Sequence, residues 1–183
     1  MAEKEFVRAD DLVRDSFALA RRIYDSGFRP DALVVLWRGG TPVGIAIHEF
    51  LLYRGVRTYH TAIKAESYTG IGQRTEPRIE NLEALRERLP PASRVLVIDD
   101  IFDSGRTVEK VCELLRPCAR EIRVATLYYK EGASQTTLRP DYYLRQTDRW
   151  IVFPHEIMDL TPAEIRRKDA ALAELLGLGA APC

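Results

Sequence analysis

A short apolar strand followed at once by two acids is the feature that most constrains how this chain folds. Residues 95–98 are four apolar residues, three of them β-branched, which is typical of a strand buried on both faces of a parallel sheet. Asp99 and Asp100 come next, and an apolar pattern of helical period begins after residue 107. Strand, loop and helix in this order predict an α/β fold, in which ligands bind beyond the carboxyl ends of the strands.

The loop that joins this strand to the helix has the composition of an anion site. A loop rich in Ser, Gly and Thr at a helix N-terminus presents backbone N–H groups and hydroxyls to a phosphate. Three nearby carboxylates would be unfavourable there without sugar hydroxyls or a divalent cation. The alternative is a turn in which Asp99 or Ser104 only caps the helix, although a cap needs one acid and not three. The loop residues are Asp103, Ser104, Gly105, Arg106 and Thr107.

Residues 95–107 together resemble the 5-phosphoribosyl diphosphate (PRPP) signature of type I phosphoribosyltransferases. The pattern is four apolar residues, two acids, two apolar residues and Asp-Ser/Thr-Gly-x-Thr, and it matches at all thirteen positions. The resemblance implies the fold of that family, a mostly parallel five-stranded α/β sheet flanked by helices, with a small hood. It covers about residues 31–156 of a single 1–183 domain, whose terminal segments would contribute helices and the hood.

The resemblance also implies a role for each polar residue of the signature. Asp99 and Asp100 would accept hydrogen bonds from the ribose hydroxyls, directly or through Mg²⁺. Asp103 would be the acid/base on purine N7. Since an aspartate is ordinarily ionised at neutral pH, its acid role needs a proton taken from the purine itself. The implied ligands of the 5′-phosphate are Asp103, Ser104, Gly105, Arg106 and Thr107.

A second strand–loop–helix unit begins with an apolar strand at residues 32–36, and its loop contains Arg38, Gly39 and Gly40. Paired glycines allow close approach of the backbone, and an arginine suits a diphosphate. On residue types alone many such loops bind nothing, but this one matches the family's diphosphate loop. The resemblance therefore makes Arg38, Gly39 and Lys64 the diphosphate ligands, although Lys64 could equally be a solvated lysine. The peptide that enters the loop glycine is often cis in the family, and the matching bond joins Arg38 to Gly39.

Ser67 and Tyr68 lie in a polar run with two glycines, at residues 64–74, which predicts a mobile loop. Purine members of the family carry a Ser-Tyr pair in a long loop that closes over the active site. Such closure would exclude water from a carbocation-like centre. A solvated hairpin is the alternative interpretation from the residues alone.

The acceptor base would bind at residues near positions 130 and 150. Lys130 follows an apolar strand and matches the lysine that donates to O6 in 6-oxopurine members, whereas the amino group of adenine could not accept that bond. Trp150 would stack on the purine and Ile151 would bind the base edge through its backbone. The alternative for Trp150 is a core tryptophan. Glu156 matches an acid near the second metal or the purine 2-position, so the implied metal ligands are Asp99, Asp100 and Glu156. His155 stays without an assigned role.

The bulk composition narrows the partners and the compartment. Lys and Arg number 27, as do Asp and Glu, and a zero net charge argues against a general nucleic-acid binder. Neither a transmembrane run nor a signal-peptide core is present in the sequence, so no membrane partner is expected. Three cysteines without metal-ligand spacing favour a reducing cytoplasm.

The resulting hypothesis is transfer of the phosphoribosyl group from PRPP to N9 of hypoxanthine, guanine or xanthine. The products would be the nucleoside 5′-monophosphate and diphosphate, with Mg²⁺ as cofactor. Family members are commonly dimers or tetramers, so the resemblance implies a homodimer or homotetramer. Two alternatives stay open: a PRPP- or nucleotide-sensing regulator on the same fold, and a phosphoribosyltransferase for another base such as orotate or uracil.

Overall fold

The structure is a computed structural model, and it describes residues 3–66, 69–70, 73–74, 78–80, 82–89 and 92–178. The chain forms two compact units. The terminal unit consists of Met1–Ala9 and Arg149–Cys183, and the larger unit consists of Asp10–Asp148.

Strands and helices alternate along most of the chain. The strands are β1 (Lys4–Phe6), β2 (Ala32–Trp37), β3 (Tyr59–Glu66), β4 (Thr69–Gly70), β5 (Gln73–Arg74), β6 (Arg78–Glu80), β7 (Ser93–Phe102), β8 (Ala119–Tyr129), β9 (Tyr142–Gln146) and β10 (Trp150–Val152). The α-helices are α1 (Ala9–Asp25), α2 (Gly40–Tyr53), α3 (Leu82–Arg88), α4 (Arg106–Leu115), α5 (Pro162–Lys168) and α6 (Ala170–Leu175). A 3₁₀ turn spans Glu131–Ala133.

The larger unit is built on a sheet with the strand order β6-β3-β2-β7-β8-β9. The five strands from β3 to β9 in that order run parallel, and β6 adds an antiparallel edge strand beside β3. The expected five-stranded, mostly parallel α/β sheet is therefore confirmed. The motif strand β7 lies inside the sheet between β2 and β8, so its carboxyl end is flanked by other strand ends.

Helices cover both faces of this sheet. Val34 of β2 packs in one buried cluster with Val108 and Val111 of α4. Val35 faces the other way, because side chains alternate along a strand. There it meets α2, where a Cβ atom on Gly44 would lie 2.5 Å from Val35 Cγ2. Burial on both faces explains why the central strands are continuously apolar.

Cys112 is a residue of α4 that faces the same core, and its thiol is free and buried. Burial raises the pKa of Cys112 to about 12, which keeps the thiol protonated and unreactive at neutral pH. Among the helices that the structure describes, none is long and apolar enough to cross a membrane.

The terminal unit joins both ends of the chain by pairing β1 in parallel with β10, so that Glu5 lies opposite Ile151. Its helix α5 begins with a capping box: Thr161 Oγ1 accepts from the Glu164 amide at 3.3 Å, and the Glu164 carboxylate accepts from the Thr161 amide at 2.8 Å. Lys4 of β1 also forms an ion pair with Glu164 at 2.7 Å.

Replacing Glu164 with glutamine is expected to lower the Tm at pH 7, because the variant keeps a capping side chain but loses the charge. Lys4 first, and then the Thr161 amide and hydroxyl, lower the pKa of Glu164 from 4.5 to about 2. A carboxyl group with a lowered pKa stabilises the fold above its unfolded pKa and loses that contribution as the pH falls through its folded pKa. The difference in Tm should therefore be full above about pH 4.5 and shrink as the pH falls through about 2, which calorimetry measures. A difference at pH 2 as large as that at pH 7 would contradict this explanation.

Candidate active site

Asp99 and Asp100 lie near the carboxyl end of β7, and the Asp100 carboxylate touches the loop that precedes α2. A Cβ atom built on Gly39 would lie 2.1 Å from Asp100 Oδ2. Asp100 is only 6% exposed. Any larger residue at position 39 would displace the Asp100 carboxyl group or the loop. The structure therefore places the predicted diphosphate loop in direct contact with an acid that is predicted to bind the ribose.

The Asp99 carboxylate accepts hydrogen bonds from backbone amides of both segments. The Asp100 amide donates to Asp99 Oδ1 at 3.0 Å, and the Gly40 amide also donates to this carboxylate. Burial first, and the neighbouring Asp100 carboxylate second, raise the pKa of Asp99 well above its ordinary value. Sugar hydroxyls or a cation beside the pair would favour its ionised form.

The diphosphate loop contains a cis peptide bond, but it joins Trp37 to Arg38. The resemblance aligns the family's cis position with the bond between Arg38 and Gly39, and the cis bond of this structure lies one residue earlier. Gly39 already has helical dihedrals, with φ −63° and ψ −37°, and the Thr41 amide donates to the Arg38 carbonyl at 3.1 Å.

The two predicted diphosphate cations lie at the same end of the sheet. Arg38 is exposed directly after β2. Lys64 lies on β3, in register with Trp37 at the end of the neighbouring strand β2. Adjacent parallel strands are about 4.8 Å apart, so the backbone of Lys64 runs beside the diphosphate loop. This placement supports a diphosphate role for Lys64 over that of a remote solvated lysine.

The signature loop forms a small cavity of about 90 Å³ at the N-terminus of α4. Gly105 has a φ of +77°, and a Cβ atom there would lie 2.5 Å from the Phe102 ring. No side chain in the described part of the protein caps α4, so its first amides point toward a ligand position. The Gln135 amide braces the loop by donating to the Ser104 carbonyl at 2.9 Å. Residues lining the cavity include Asp99, Asp103, Ser104, Gly105 and Thr107.

Lys130 forms an ion pair with Asp103, which the sequence pattern does not predict. Lys130 Nζ donates to Asp103 Oδ2 at 2.9 Å, and the Lys130 amide donates to the Phe102 carbonyl at 2.9 Å. The lysine is 8% exposed, whereas the Asp103 side chain is half exposed. The structure thus brings together the predicted base ligand and the predicted acid/base. An ammonium has three donors, so Lys130 can contact Asp103 and a base oxygen at once.

The terminal unit carries the other predicted base ligands. Trp150 is 53% exposed, so the alternative of a core tryptophan is wrong, and its ring presents a surface for stacking. Ile151 is buried on β10. Glu156 Oε2 accepts from the Phe153 amide at 3.0 Å, and His155 stacks on the Phe153 ring at 5.6 Å between centroids. The base roles of Trp150, Ile151 and Glu156 stay predictions.

The predicted lid residues Ser67 and Tyr68 lie outside the described residues. Thr136 lies beside the signature loop, which the sequence pattern does not reveal. Its Oγ1 would lie 2.8 Å from a Cβ atom on Gly105. It belongs to an irregular segment after the 3₁₀ turn, where no periodic pattern marks a residue as important. Its proximity to the signature loop follows only from the tertiary fold.

The acid pair suits Mg²⁺ better than a metal that needs a full protein shell. No group of three or more His, Cys, Asp or Glu side chains in the described ranges is placed to hold a metal ion. Mg²⁺ usually takes one or two carboxylates and completes its shell with water and phosphate oxygens. Asp99 and Asp100 supply those two carboxylates at the candidate site, while the predicted contribution of Glu156 stays a prediction.

Comparisons with known proteins show which family this chain is similar to. The family model described as "Phosphoribosyl transferase domain" matches residues 4–159. A xanthine-guanine phosphoribosyltransferase of Ruegeria sp. is 32% identical in an alignment of length 169 that covers 85% of this chain and 87% of that protein.

Two solved structures share the fold over most of their length. A purine phosphoribosyltransferase from Pyrococcus horikoshii has a TM-score of 0.67 at 28% identity, covering 86% of this chain and 97% of that one. A hypothetical protein from Neisseria gonorrhoeae with bound ppGpp has a TM-score of 0.72 at 25% identity, covering 93% and 98%. The predicted family and fold class are both confirmed, and the chain belongs to the phosphoribosyltransferase family.

Proposed function

We propose that this protein transfers the 5-phosphoribosyl group of PRPP to N9 of a 6-oxopurine, namely hypoxanthine, guanine or xanthine. The products are the nucleoside 5′-monophosphate and diphosphate. The observation that carries the proposal is the meeting of Asp100 with Gly39, which joins a phosphate cavity, an acid pair and a diphosphate loop at one sheet edge. The names of the Ruegeria and Pyrococcus relatives support a purine as the acceptor.

The 5′-phosphate of PRPP binds in the cavity at the start of α4. There the backbone amides and the hydroxyls of Ser104 and Thr107 donate to its oxygens, and the positive end of the helix dipole favours its charge. Gly105 lets the backbone approach because it lacks a side chain. Arg106 adds a positive charge at the first position of the helix.

The ribose and the diphosphate occupy the space between the acid pair and the α2 loop. Asp99 and Asp100 accept from the ribose hydroxyls, and they would hold Mg²⁺, which would offset the charge on the leaving diphosphate. Arg38, Gly39 and Lys64 hold the diphosphate itself. The carboxylates also stabilise the positive charge that develops on the ribosyl carbon as the bond to diphosphate breaks.

Asp103 takes the proton from purine N7 while Lys130 donates to O6 of the base. Their ion pair at 2.9 Å holds both groups on the side of the phosphate cavity. We propose that Trp150 stacks on the purine, that Ile151 and Glu156 bind its edge, and that Ser67 and Tyr68 close over the site. A homodimer or homotetramer stays a prediction of the family resemblance.

The test is a steady-state comparison of hypoxanthine, guanine, xanthine and adenine with PRPP and Mg²⁺, following release of diphosphate. At least one 6-oxopurine should be turned over, with kcat/KM at least about 100-fold above that of adenine, because adenine has an amino group where a 6-oxopurine offers Lys130 its O6 acceptor. Equal use of adenine would contradict the assignment of the base, and turnover of orotate or uracil alone would show a different phosphoribosyltransferase.

A second candidate is a nucleotide-sensing role, favoured by the Neisseria structure with bound ppGpp. A guanosine carrying two diphosphates combines a purine with the groups that the α2 loop and the α4 cavity are proposed to bind. The same assay with ppGpp added distinguishes the two. Competitive inhibition of turnover would make ppGpp a regulator of the enzyme. Binding of ppGpp without turnover of any base would favour the sensor instead.

A further inference from the structure

Thr126 is a fully buried residue of β8 whose hydroxyl has no hydrogen-bond partner among the described residues. Its exposed fraction is 0%. Buried hydroxyls are almost always hydrogen-bonded, since leaving one unpaired destabilises the folded state. The threonine at this position therefore needs an explanation, because valine has the same shape without the unpaired group.

The position of Thr126 supplies that explanation. It lies in register with Asp99 on the neighbouring strand β7. Parallel strands are about 4.8 Å apart, and residues in register project from the same face of the sheet. The preceding pair on that face, Val97 and Val124, belongs to the core cluster beneath α4. Thr126 is thus the buried neighbour of the acid that lines the phosphate cavity.

The Asp99 carboxylate has room for a further donor. An ionised carboxylate offers about four lone-pair positions. Here the backbone amides of Asp100 and Gly40 and the Asp100 side chain use three of them, which leaves one. A threonine hydroxyl can rotate about its Cα–Cβ bond toward a neighbouring acceptor. The Thr126 hydroxyl and the two backbone amides would together fix the orientation of the Asp99 carboxylate.

We propose that Thr126 is a positioning residue for Asp99, donating a hydrogen bond to its carboxylate when PRPP and a divalent cation are bound at the acid pair. This inference rests on the proposed function. It explains the unpaired hydroxyl as a donor that finds its partner in the complex with PRPP. The unfavourable unpaired state of the free protein is then offset when substrate binds.

The test compares two variants by kinetics with guanine, calorimetric titration of PRPP with Mg²⁺, and thermal unfolding. Thr126→Val removes the hydroxyl and keeps the shape. It should lower kcat/KM for PRPP by about 10- to 100-fold and weaken PRPP binding, with little change in the KM for guanine. Its Tm should equal that of the wild type or rise by up to about 4 °C, because an unpaired hydroxyl is removed. Thr126→Ser keeps the donor and should stay within about threefold of the wild type.

Thr58→Val is the matched control. Thr58 also has a buried hydroxyl without a partner in the part of the chain that the structure describes. It directly precedes β3, at the amino end of the parallel strands and thus at the edge opposite the acid pair. The same chemical change should leave PRPP binding and turnover unchanged there.

Three results would overturn the proposal. The first is wild-type PRPP affinity and kcat/KM in Thr126→Val. The second is a loss in Thr126→Ser as large as in Thr126→Val, which would assign the effect to the methyl group. The third is a lower Tm for Thr126→Val, which would show that the hydroxyl already has a partner in the free protein. If the wild type turns over no base, the proposed function fails, and the PRPP titrations of wild type and variant still decide the role of Thr126.

Discussion

Replacing Asp103 with asparagine should lower kcat by about 100- to 10,000-fold, the range that a positioned acid/base contributes. The Kd of PRPP should change by less than about threefold, because the loop amides that bind the phosphate are left in place. Asparagine has the same shape, and its amide oxygen can still accept from Lys130, which lies 2.9 Å from Asp103. It cannot take a proton from purine N7, so the loss should fall on turnover. Single-turnover kinetics and calorimetric titration of PRPP separate the two quantities.

Asp25→Asn is the control for this prediction. Asp25 is also about half exposed and pairs with a cation, Arg21, at 3.4 Å, but it lies at the end of α1. Its replacement should leave kcat within about twofold, since surface ion pairs contribute little. Wild-type turnover in Asp103→Asn would contradict the acid/base role. A loss of PRPP affinity as large as the loss of kcat would make Asp103 a binding residue instead.

The central strand shows how far local pattern predicts this fold. Apolar residues 95–98 predict the strand, but β7 runs from Ser93 to Phe102 and contains the acid pair within its length. The reason is tertiary: pairing with β8 continues from Asp99, opposite Thr126, to Phe102, opposite Tyr129. Hydrogen bonds between strands depend on the backbone, so a strand can extend beyond the apolar segment that predicts it.

The short strands of the terminal unit were not predicted for a related reason. β1 and β10 have three residues each, and so few residues show no hydrophobic period. They pair across almost the whole length of the chain, with Lys4 opposite Trp150. By contrast, the Thr161 capping box depends on residues three apart, so the sequence alone is enough to indicate it.

The candidate site likewise has features that the sequence predicts and contacts that it does not. The sequence predicts which residues follow each strand, and parallel strands bring their carboxyl ends to one edge. It does not predict which side chain contacts which. Lys130 was expected to bind the base, yet it also pairs with Asp103, 27 residues earlier. Contacts of this kind depend on strand register and rotamers, which one-dimensional spacing does not contain.

Replacing Gly39 with alanine is expected to lower kcat/KM for PRPP by about 100-fold, the effect of displacing a reacting group by about 1 Å. The added Cβ atom would lie 2.1 Å from Asp100 Oδ2, 2.4 Å from its Cγ and 2.6 Å from its Oδ1. Since Asp100 is buried, either its carboxyl group must rotate or the diphosphate loop must retreat. Both movements separate the acid pair from the loop that is proposed to hold the diphosphate.

Gly132→Ala is the matched control for this change. Its added Cβ atom would have its nearest neighbour, Asp148 Oδ1, at 3.3 Å, and that carboxylate is the end of a side chain that can move aside. Overpacking alone costs about 1–3 kcal/mol of stability, so Gly39→Ala should also lower the Tm. A lower Tm with wild-type kcat/KM would mean that the contact between Gly39 and Asp100 serves packing only. A kinetic loss in Gly39→Ala that Gly132→Ala does not share would instead assign that contact to the binding of PRPP.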